Sequence, residues 1–110
     1  MKNREVRLAE EIKRIVSDII QFEMKSKVEL FSITFVKLNK DLSHAKIYLS
    51  FFSKNNGSNL AKIEEAKGFI RSQLAKKVRM RKVPELEFVL DTSIEEGTRI
   101  LEKIKELNIS

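Results

Sequence analysis

The sequence is poor in the residues from which several classes of functional site are built. Of its 110 residues none is cysteine or tryptophan, one is histidine, one is proline and three are glycine. The lack of cysteine excludes a disulfide scaffold, thiol catalysis and cysteine-ligated zinc, and it fits a reducing compartment such as the cytoplasm. Three separated glycines form neither a P-loop nor a dinucleotide-binding pattern.

Long apolar runs and converging catalytic groups are also missing. No apolar stretch approaches the roughly 20 residues that span a bilayer, and the charged start at residues 1–11 is not a signal segment. His44 is predicted on the polar side of a strand, as a solvated histidine. The acid pairs 10–11, 64–65 and 95–96 point about 100° apart on a helix, so they do not form an acid/base dyad. We therefore expect no enzyme, no metal site and no cofactor.

What is abundant is charge, with an excess of one sign. There are 22 lysines and arginines against 16 acids, giving a formal charge of +6 and an isoelectric point near 9.7. This balance favours a polyanion as partner, with nucleic acid first and an anionic membrane surface second, although many small proteins are basic only for solubility. The length predicts a single domain over residues 1–110.

Hydrophobic periodicity divides the chain into helices and strands. An amphipathic helix is predicted over residues 4–24, a β-hairpin over 31–37 and 45–51 with its turn at 39–43, and a third strand over 85–90. Between the hairpin and the third strand, helical spacing begins after the N-cap candidate Ser58, breaks at Gly68 and continues to Val83-Pro84. A capping box at Ser93 and Glu96 opens a last helix over residues 93–107. The predicted order is α-β-β-α-kink-α-β-α, an α+β fold with a three-stranded mixed sheet and helices on one face.

The segment from Lys67 to Lys82 is the candidate for nucleic-acid binding, because no acid interrupts its cations. If the helix continues to Val83, four of these cations lie opposite the apolar residues Ile70, Leu74 and Val78. An unmixed cationic stripe of this length favours phosphate binding over a merely solvated helix face. The four are Arg71, Lys76, Arg79 and Lys82. The full set of candidate RNA-binding residues is Lys67, Gly68, Arg71, Lys76, Lys77, Arg79, Arg81 and Lys82.

Gly68 has two interpretations that the sequence leaves open. A helix that restarts there would offer free N–H groups to a phosphate, and a residue without Cβ would let a nucleic-acid backbone approach. Alternatively, the glycine only allows two helices to pack tightly. The sheet is a weaker candidate, because Glu85 and Glu87 accompany Lys46 and Tyr48 on its open face and no pair of base-stacking aromatics is present. Tyr48 and Phe52 are better explained by packing under a loop or under the last helix.

The sequence resembles the ribosome-binding factor A family over nearly the whole chain, and five motifs carry this resemblance. The resemblance implies a type II KH-like domain in which an Ala-x-Gly kink, here Ala66, Lys67 and Gly68, replaces the usual Gly-x-x-Gly loop. The motifs are VRLAEEI at 6–12, DLSHAKIYLS at 41–50, AKGFIR at 66–71, RMRKVPELEF at 79–88 and DTSIEEG at 91–97.

The same resemblance implies a function that composition and spacing do not reach. It implies binding to 16S rRNA in the free 30S subunit, late rRNA maturation including the 5′ end, growth in the cold, and a link to an assembly GTPase. It implies no catalysis, and we expect a cytoplasmic monomer. From another class, the alternative is a protein-interaction module whose last helix docks a partner through Ile100, Leu101, Ile104 and Leu107.

Overall fold

The computed structural model describes residues 4–91, and their element order confirms the predicted α-β-β-α-kink-α-β succession. The predicted helix over 93–107 lies outside the described residues. The elements are α1 (Arg4–Asp18), a π-helical turn (Ile19–Glu23), β1 (Phe31–Leu38), β2 (His44–Phe51), α2 (Asn56–Glu65), α3 (Lys67–Lys77) and β3 (Glu85–Leu90).

The first helix confirms the apolar spacing from which it was predicted, and it widens at its end. Ile12 and Val16 of α1 are fully buried. The last turn is π-helical, with the Met24 N–H donating to the Ile19 carbonyl at 3.1 Å. Through this wider turn Ile19, Ile20 and Met24 all remain in the core.

The three strands form a mixed sheet in the order β1-β2-β3, as predicted. β1 and β2 pair antiparallel, whereas β2 and β3 pair in parallel. The odd residues of β2 point into the core, and Ala45, Ile47 and Leu49 are all fully buried. The helices cover this one side of the sheet, and a single core joins them to the inward residues of the strands. Among residues 4–91 no helix covers the other side, which we call the open face.

A bulge interrupts the alternation of β1. Its register with β2 shifts between Ile33 and Phe35, which is what one extra residue in an antiparallel strand produces. Ile33 and Val36 therefore point into the core, while Phe35 lies on the open face with 55% of its surface exposed.

The start of α2 corrects the prediction that Ser58 is its N-cap. The helix begins at Asn56, after Asn55, and the Asn59 N–H already donates to the Asn55 carbonyl at 3.0 Å. Asn59 is 1% exposed, and its Oδ1 accepts the Glu29 N–H at 3.1 Å. The earlier start brings Asn59 into the helix, where it ties α2 to the chain before β1.

Candidate nucleic-acid interface

The kink between α2 and α3 is found where the sequence predicted it, with Ala66 as the residue that leaves helical geometry. Its φ and ψ are −90° and 5°. Its N–H donates to the Lys62 and Ile63 carbonyls at 3.2 and 3.1 Å, and its carbonyl accepts the Ile70 N–H at 2.8 Å. The backbone changes direction without losing these hydrogen bonds, so the kink is a well-supported part of the fold.

Gly68 lies in the first turn of α3. Its φ is not in the positive region, and a Cβ built at this position would meet no described atom within 4 Å. Tight helix packing therefore does not explain this glycine among residues 4–91. The space above it is open to an approaching ligand backbone.

Helix α3 ends much earlier than predicted. The prediction that the cations form a stripe on one helix face is therefore wrong. The last helical residue is Lys77, and Val78 is extended, with φ −99° and ψ 142°. Val78 stays buried at 6% exposure, but the chain beyond it must return to β2, where the Glu85 N–H donates to the Ser43 carbonyl at 2.8 Å. Arg79, Arg81 and Lys82 consequently lie on an irregular segment and not on a helix face shared with Arg71.

Arg71 is bound within the protein rather than presented to a ligand. Its Nε donates to the Pro84 carbonyl at 3.0 Å and its Nη2 to the Val83 carbonyl at 2.8 Å. Nη2 also lies 3.9 Å from the Glu85 carboxylate. The planar guanidinium thus holds the end of the irregular segment onto α3.

Two further predicted cations are paired with carboxylates. Lys67 Nζ lies 2.9 Å from the Glu64 carboxylate, three residues earlier in the chain. Lys77 pairs with Glu23 of the π-helical turn. These pairs reduce the positive charge that the helix face offers, although both lysines remain partly exposed.

The remaining four candidates form what we call the basic segment, namely Lys76, Arg79, Arg81 and Lys82. All four are exposed. Within residues 4–91 none of them forms an ion pair or a side-chain hydrogen bond. Their charges are therefore available to phosphate groups, and they follow one another along the end of α3 and the chain after it.

The structure also adds residues that the sequence analysis missed. A groove of about 390 Å³ opens beside the kink, and Lys25, Lys62, Ala66 and Phe69 line it together with the acidic residues Glu23 and Glu65. Phe69 is 42% exposed. Lys25 and Lys62 are far apart in the sequence, so no periodic pattern could have joined them.

No group of three or more histidine, cysteine, aspartate or glutamate side chains in residues 4–91 could hold a metal ion. Of the helices in that range, none is both long and apolar enough to cross a membrane.

Comparison with known proteins relates this chain to one family. The family model for ribosome-binding factor A matches residues 4–104. The ribosome-binding factor A of Caldicellulosiruptor saccharolyticus is 44% identical over 110 residues, covering 94% of this chain and 82% of the relative. That of Natranaerobius thermophilus is 44% identical over 109 residues, covering 96% and 83%.

Solved structures give the same result. The crystal structure of ribosome-binding factor A from Thermus thermophilus superimposes with a TM-score of 0.71 at 30% identity, covering 80% of this chain and 97% of that one. A homology model of the Thermus thermophilus factor, fitted into a cryo-EM map of its complex with the 30S subunit, gives a TM-score of 0.65 at 30% identity. It covers 76% of this chain and 91% of that one.

Proposed function

This chain belongs to the ribosome-binding factor A family, and from that premise we propose that it binds the free 30S subunit and assists its late maturation. Its partner is 16S rRNA, and its action includes 5′-end processing, supports growth in the cold and is linked to an assembly GTPase. It acts in the cytoplasm, as a monomer and without catalysis. Support for the 30S partner comes from the Thermus thermophilus factor, whose model was fitted into a 30S complex.

The observation that carries the RNA-binding part of this proposal is the basic segment. Lys76, Arg79, Arg81 and Lys82 are exposed and have no partner among residues 4–91. Arginine and lysine side chains in this state bind RNA mainly by displacing condensed counterions from phosphates. The segment therefore provides affinity for the sugar–phosphate backbone.

Arg71 supports binding indirectly. It fixes the Val83 and Pro84 carbonyls, and so it limits the positions that the preceding cations can take. Pre-ordering a binding segment in this way lowers the entropy lost when it engages RNA. A variant that tests phosphate contacts should accordingly leave Arg71 unchanged.

Salt dependence tests this proposal. If the four cations of the basic segment neutralise about four phosphates, the slope of log affinity against log salt should be about −3. The variant Arg79→Gln/Arg81→Gln/Lys82→Gln should weaken binding to purified 30S subunits and make that slope shallower by about 2. Fluorescence anisotropy of the labelled protein across a salt series measures both quantities.

A matched control removes the same charge elsewhere. Lys13 and Arg14 line a groove with Phe31 and Ser32, and Lys54 follows β2, so all three lie at the end of the sheet opposite the hairpin turn. Lys13→Gln/Arg14→Gln/Lys54→Gln should retain most of the affinity and the wild-type slope. An equal loss of affinity in both variants would mean that only the net charge matters. It would reject the basic segment as the contact surface. The absence of the wild-type protein from the free-30S fractions of a lysate gradient would reject the function itself.

A further inference from the structure

The groove beside the kink lies between the end of the π-helical turn and the helices α2 and α3. Its apolar lining consists of Met24, Ala66 and Phe69. Met24 is 3% exposed and belongs to the core, whereas 42% of the Phe69 surface is exposed. The volume of about 390 Å³ falls within the roughly 300–1,000 Å³ of small-ligand sites. The groove therefore offers an exposed aromatic ring next to a space that holds a planar ligand.

The residues on the helix side of the groove share one face. Lys62, Glu65 and Phe69 all line it, and their spacing of three and four residues is the one that brings side chains together on a helix. The kink at Ala66 keeps its backbone hydrogen bonds, so this face continues from α2 into α3. Lys62 Nζ donates to the Lys27 carbonyl at 3.3 Å. This bond ties α2 to the chain before β1, so the fold holds the two walls of the groove together.

The charged residues of the groove differ in what is left for a ligand. Glu23 pairs with Lys77, which offsets its repulsion of an anion. Lys25 and Glu65 are exposed, and neither forms an ion pair or a side-chain hydrogen bond within residues 4–91. One cation and one carboxylate are thus available beside the Phe69 ring. This combination suits a ligand that carries an anion, a flat apolar face and hydrogen-bond donors.

A nucleotide in single-stranded RNA has all three features. Its phosphate suits Lys25, its base can stack on Phe69, and the Watson–Crick edge of an unpaired base is free to donate to Glu65. Guanine matches best, because its N1–H and N2–H₂ groups are adjacent donors, whereas adenine and uracil present one donor group each on that edge. Two parallel N–H···O bonds fit the two oxygens of a carboxylate.

We propose that this groove binds one unpaired guanine of the RNA. The base stacks on Phe69 and donates its N1–H and N2–H to the Glu65 carboxylate, while Lys25 contacts a neighbouring phosphate. This inference rests on the proposed function, because it adds a base contact to the backbone contacts of the basic segment. The basic segment then provides affinity for any sequence, and the groove provides a preference among bases.

The groove and the basic segment adjoin each other. Glu23 lines the groove and pairs with Lys77, and the residue before Lys77 in α3 is Lys76, the first cation of the basic segment. Gly68, with open space around it, directly precedes Phe69. A single strand that contacts the basic segment therefore has the groove within reach.

Short single strands test the base preference in the full chain. Fluorescein-labelled RNA heptamers UUUGUUU, UUUAUUU and UUUUUUU are titrated with the protein, and fluorescence anisotropy gives the three affinities. The wild type should bind UUUGUUU about tenfold more tightly than the other two, as expected for one bidentate base contact. Equal affinities, or no measurable binding of UUUGUUU, would overturn the proposal.

Glu65→Gln should abolish this preference, because an amide has only one acceptor oxygen. The affinity for UUUGUUU should fall about tenfold, to that for UUUUUUU. Loss of a negative charge alone would strengthen the binding of any RNA, so a loss confined to the guanine heptamer identifies the base contact. The control Glu10→Gln removes an exposed carboxylate of α1 that lines a different groove, and it should keep the wild-type preference. The same preference in Glu65→Gln would contradict the proposal.

Phe69→Leu keeps an apolar side chain but removes the ring. It should weaken the binding of all three heptamers about fivefold, because each loses stacking. The control Phe52→Leu changes a ring that is 60% exposed and does not line this groove, and it should bind like the wild type. Circular dichroism verifies that both variants are folded. Unchanged RNA binding by folded Phe69→Leu would overturn the proposal and favour an apolar protein segment as the occupant.

Titration of 30S subunits separates this inference from the proposed function. Wild-type protein that binds 30S subunits with the expected salt dependence, but shows no preference among the heptamers, would contradict only the guanine site. Wild-type protein that fails to bind 30S subunits would contradict the proposed function, whatever its preference among the heptamers.

Discussion

At the scale of single residues, the cations between Lys67 and Lys82 divide into two groups with different roles. Lys67, Arg71 and Lys77 are engaged by Glu64, by backbone carbonyls and by Glu23. The four cations of the basic segment are not engaged in this way within residues 4–91. The first group is engaged within the fold, and the second is available to RNA.

Replacing Arg71 with alanine should destabilise the protein by about 2 kcal/mol. The change removes two charge-assisted hydrogen bonds, each typically worth about 1.5–3 kcal/mol, from a side chain that is 40% exposed. Urea unfolding monitored by circular dichroism measures the loss. Arg71→Lys should recover only part of it, because an ammonium lacks the planar fork that reaches two carbonyls.

Lys76→Ala is the matched control for this change, since Lys76 is a cation of the same helix. Its unfolding free energy should stay within about 0.5 kcal/mol of wild type. If Arg71→Ala were equally harmless, Arg71 would have to be counted with the basic segment and not with the residues that hold it.

At the scale of elements, the kink and the segment after α3 define the candidate interface. Ala66 changes the direction of the helix pair while keeping its hydrogen bonds, and Gly68 leaves open space directly after it. The early end of α3 at Lys77 places three cations on the segment that leads to β3. The interface is therefore built from a helix start, a helix end and a connecting segment, rather than from one helix face.

Gly68→Ala separates the ligand role of this glycine from a structural one. Because a Cβ meets no atom within 4 Å and the residue is helical, stability should be unchanged or rise by up to about 1 kcal/mol. Affinity for 30S subunits should nevertheless fall several-fold, because the added methyl occupies the space that an RNA backbone would use. Thermal unfolding and the anisotropy titration provide the two measurements.

Gly57→Ala is the corresponding control. Gly57 lies in the first turn of α2 and also has nothing within 4 Å of a built Cβ, so its stability effect should be similar while binding stays at the wild-type level. Unimpaired binding by Gly68→Ala would place the RNA away from the kink.

At the scale of the whole molecule, two carboxylates couple the fold to pH. Hydrogen bonds from Ser53, Asn55 and Asn59 hold the pKa of Glu29 below its ordinary value of 4.5. Hydrogen bonds from the Ser43 hydroxyl and N–H hold the pKa of Asp41 below its ordinary value of 3.8. Both groups close a turn or loop at an end of the sheet, and in both the charged form is favoured by folding.

The pH dependence of unfolding should reflect these two groups. With a folded-state pKa below the unfolded one, each contributes stability that is fully present above its ordinary pKa and is lost as pH falls through the folded value. The variant Glu29→Gln/Asp41→Asn should therefore be less stable than wild type at neutral pH, and should lose less further stability as the pH falls through the range in which carboxylates titrate. Urea midpoints across this range give the comparison.

A control with the same loss of charge identifies the cause. Glu10→Gln/Asp18→Asn removes two carboxylates that form no hydrogen bond or ion pair within the described part of the chain. If this variant reduced the loss of stability at acid pH as much as Glu29→Gln/Asp41→Asn does, the hydrogen-bonded carboxylates would not be the cause. General charge repulsion would then be responsible.

The sequence by itself determined the succession of elements, the inward residues of β2 and the position of the kink, because each depends on spacing along the chain. It also determined the positive charge of the candidate interface, because that charge depends on local composition. Only the tertiary structure decided which cations remain available, since Lys77 meets Glu23 and Arg71 meets Val83 and Pro84 across long separations. The end of α3 is a further case. Pro84 sets an outer limit for the helix, whereas the parallel pairing of β3 with β2 from Glu85 onward needs connecting chain between helix and strand, and α3 ends at Lys77. Periodicity records local geometry, and pairing between distant residues depends on how the elements pack.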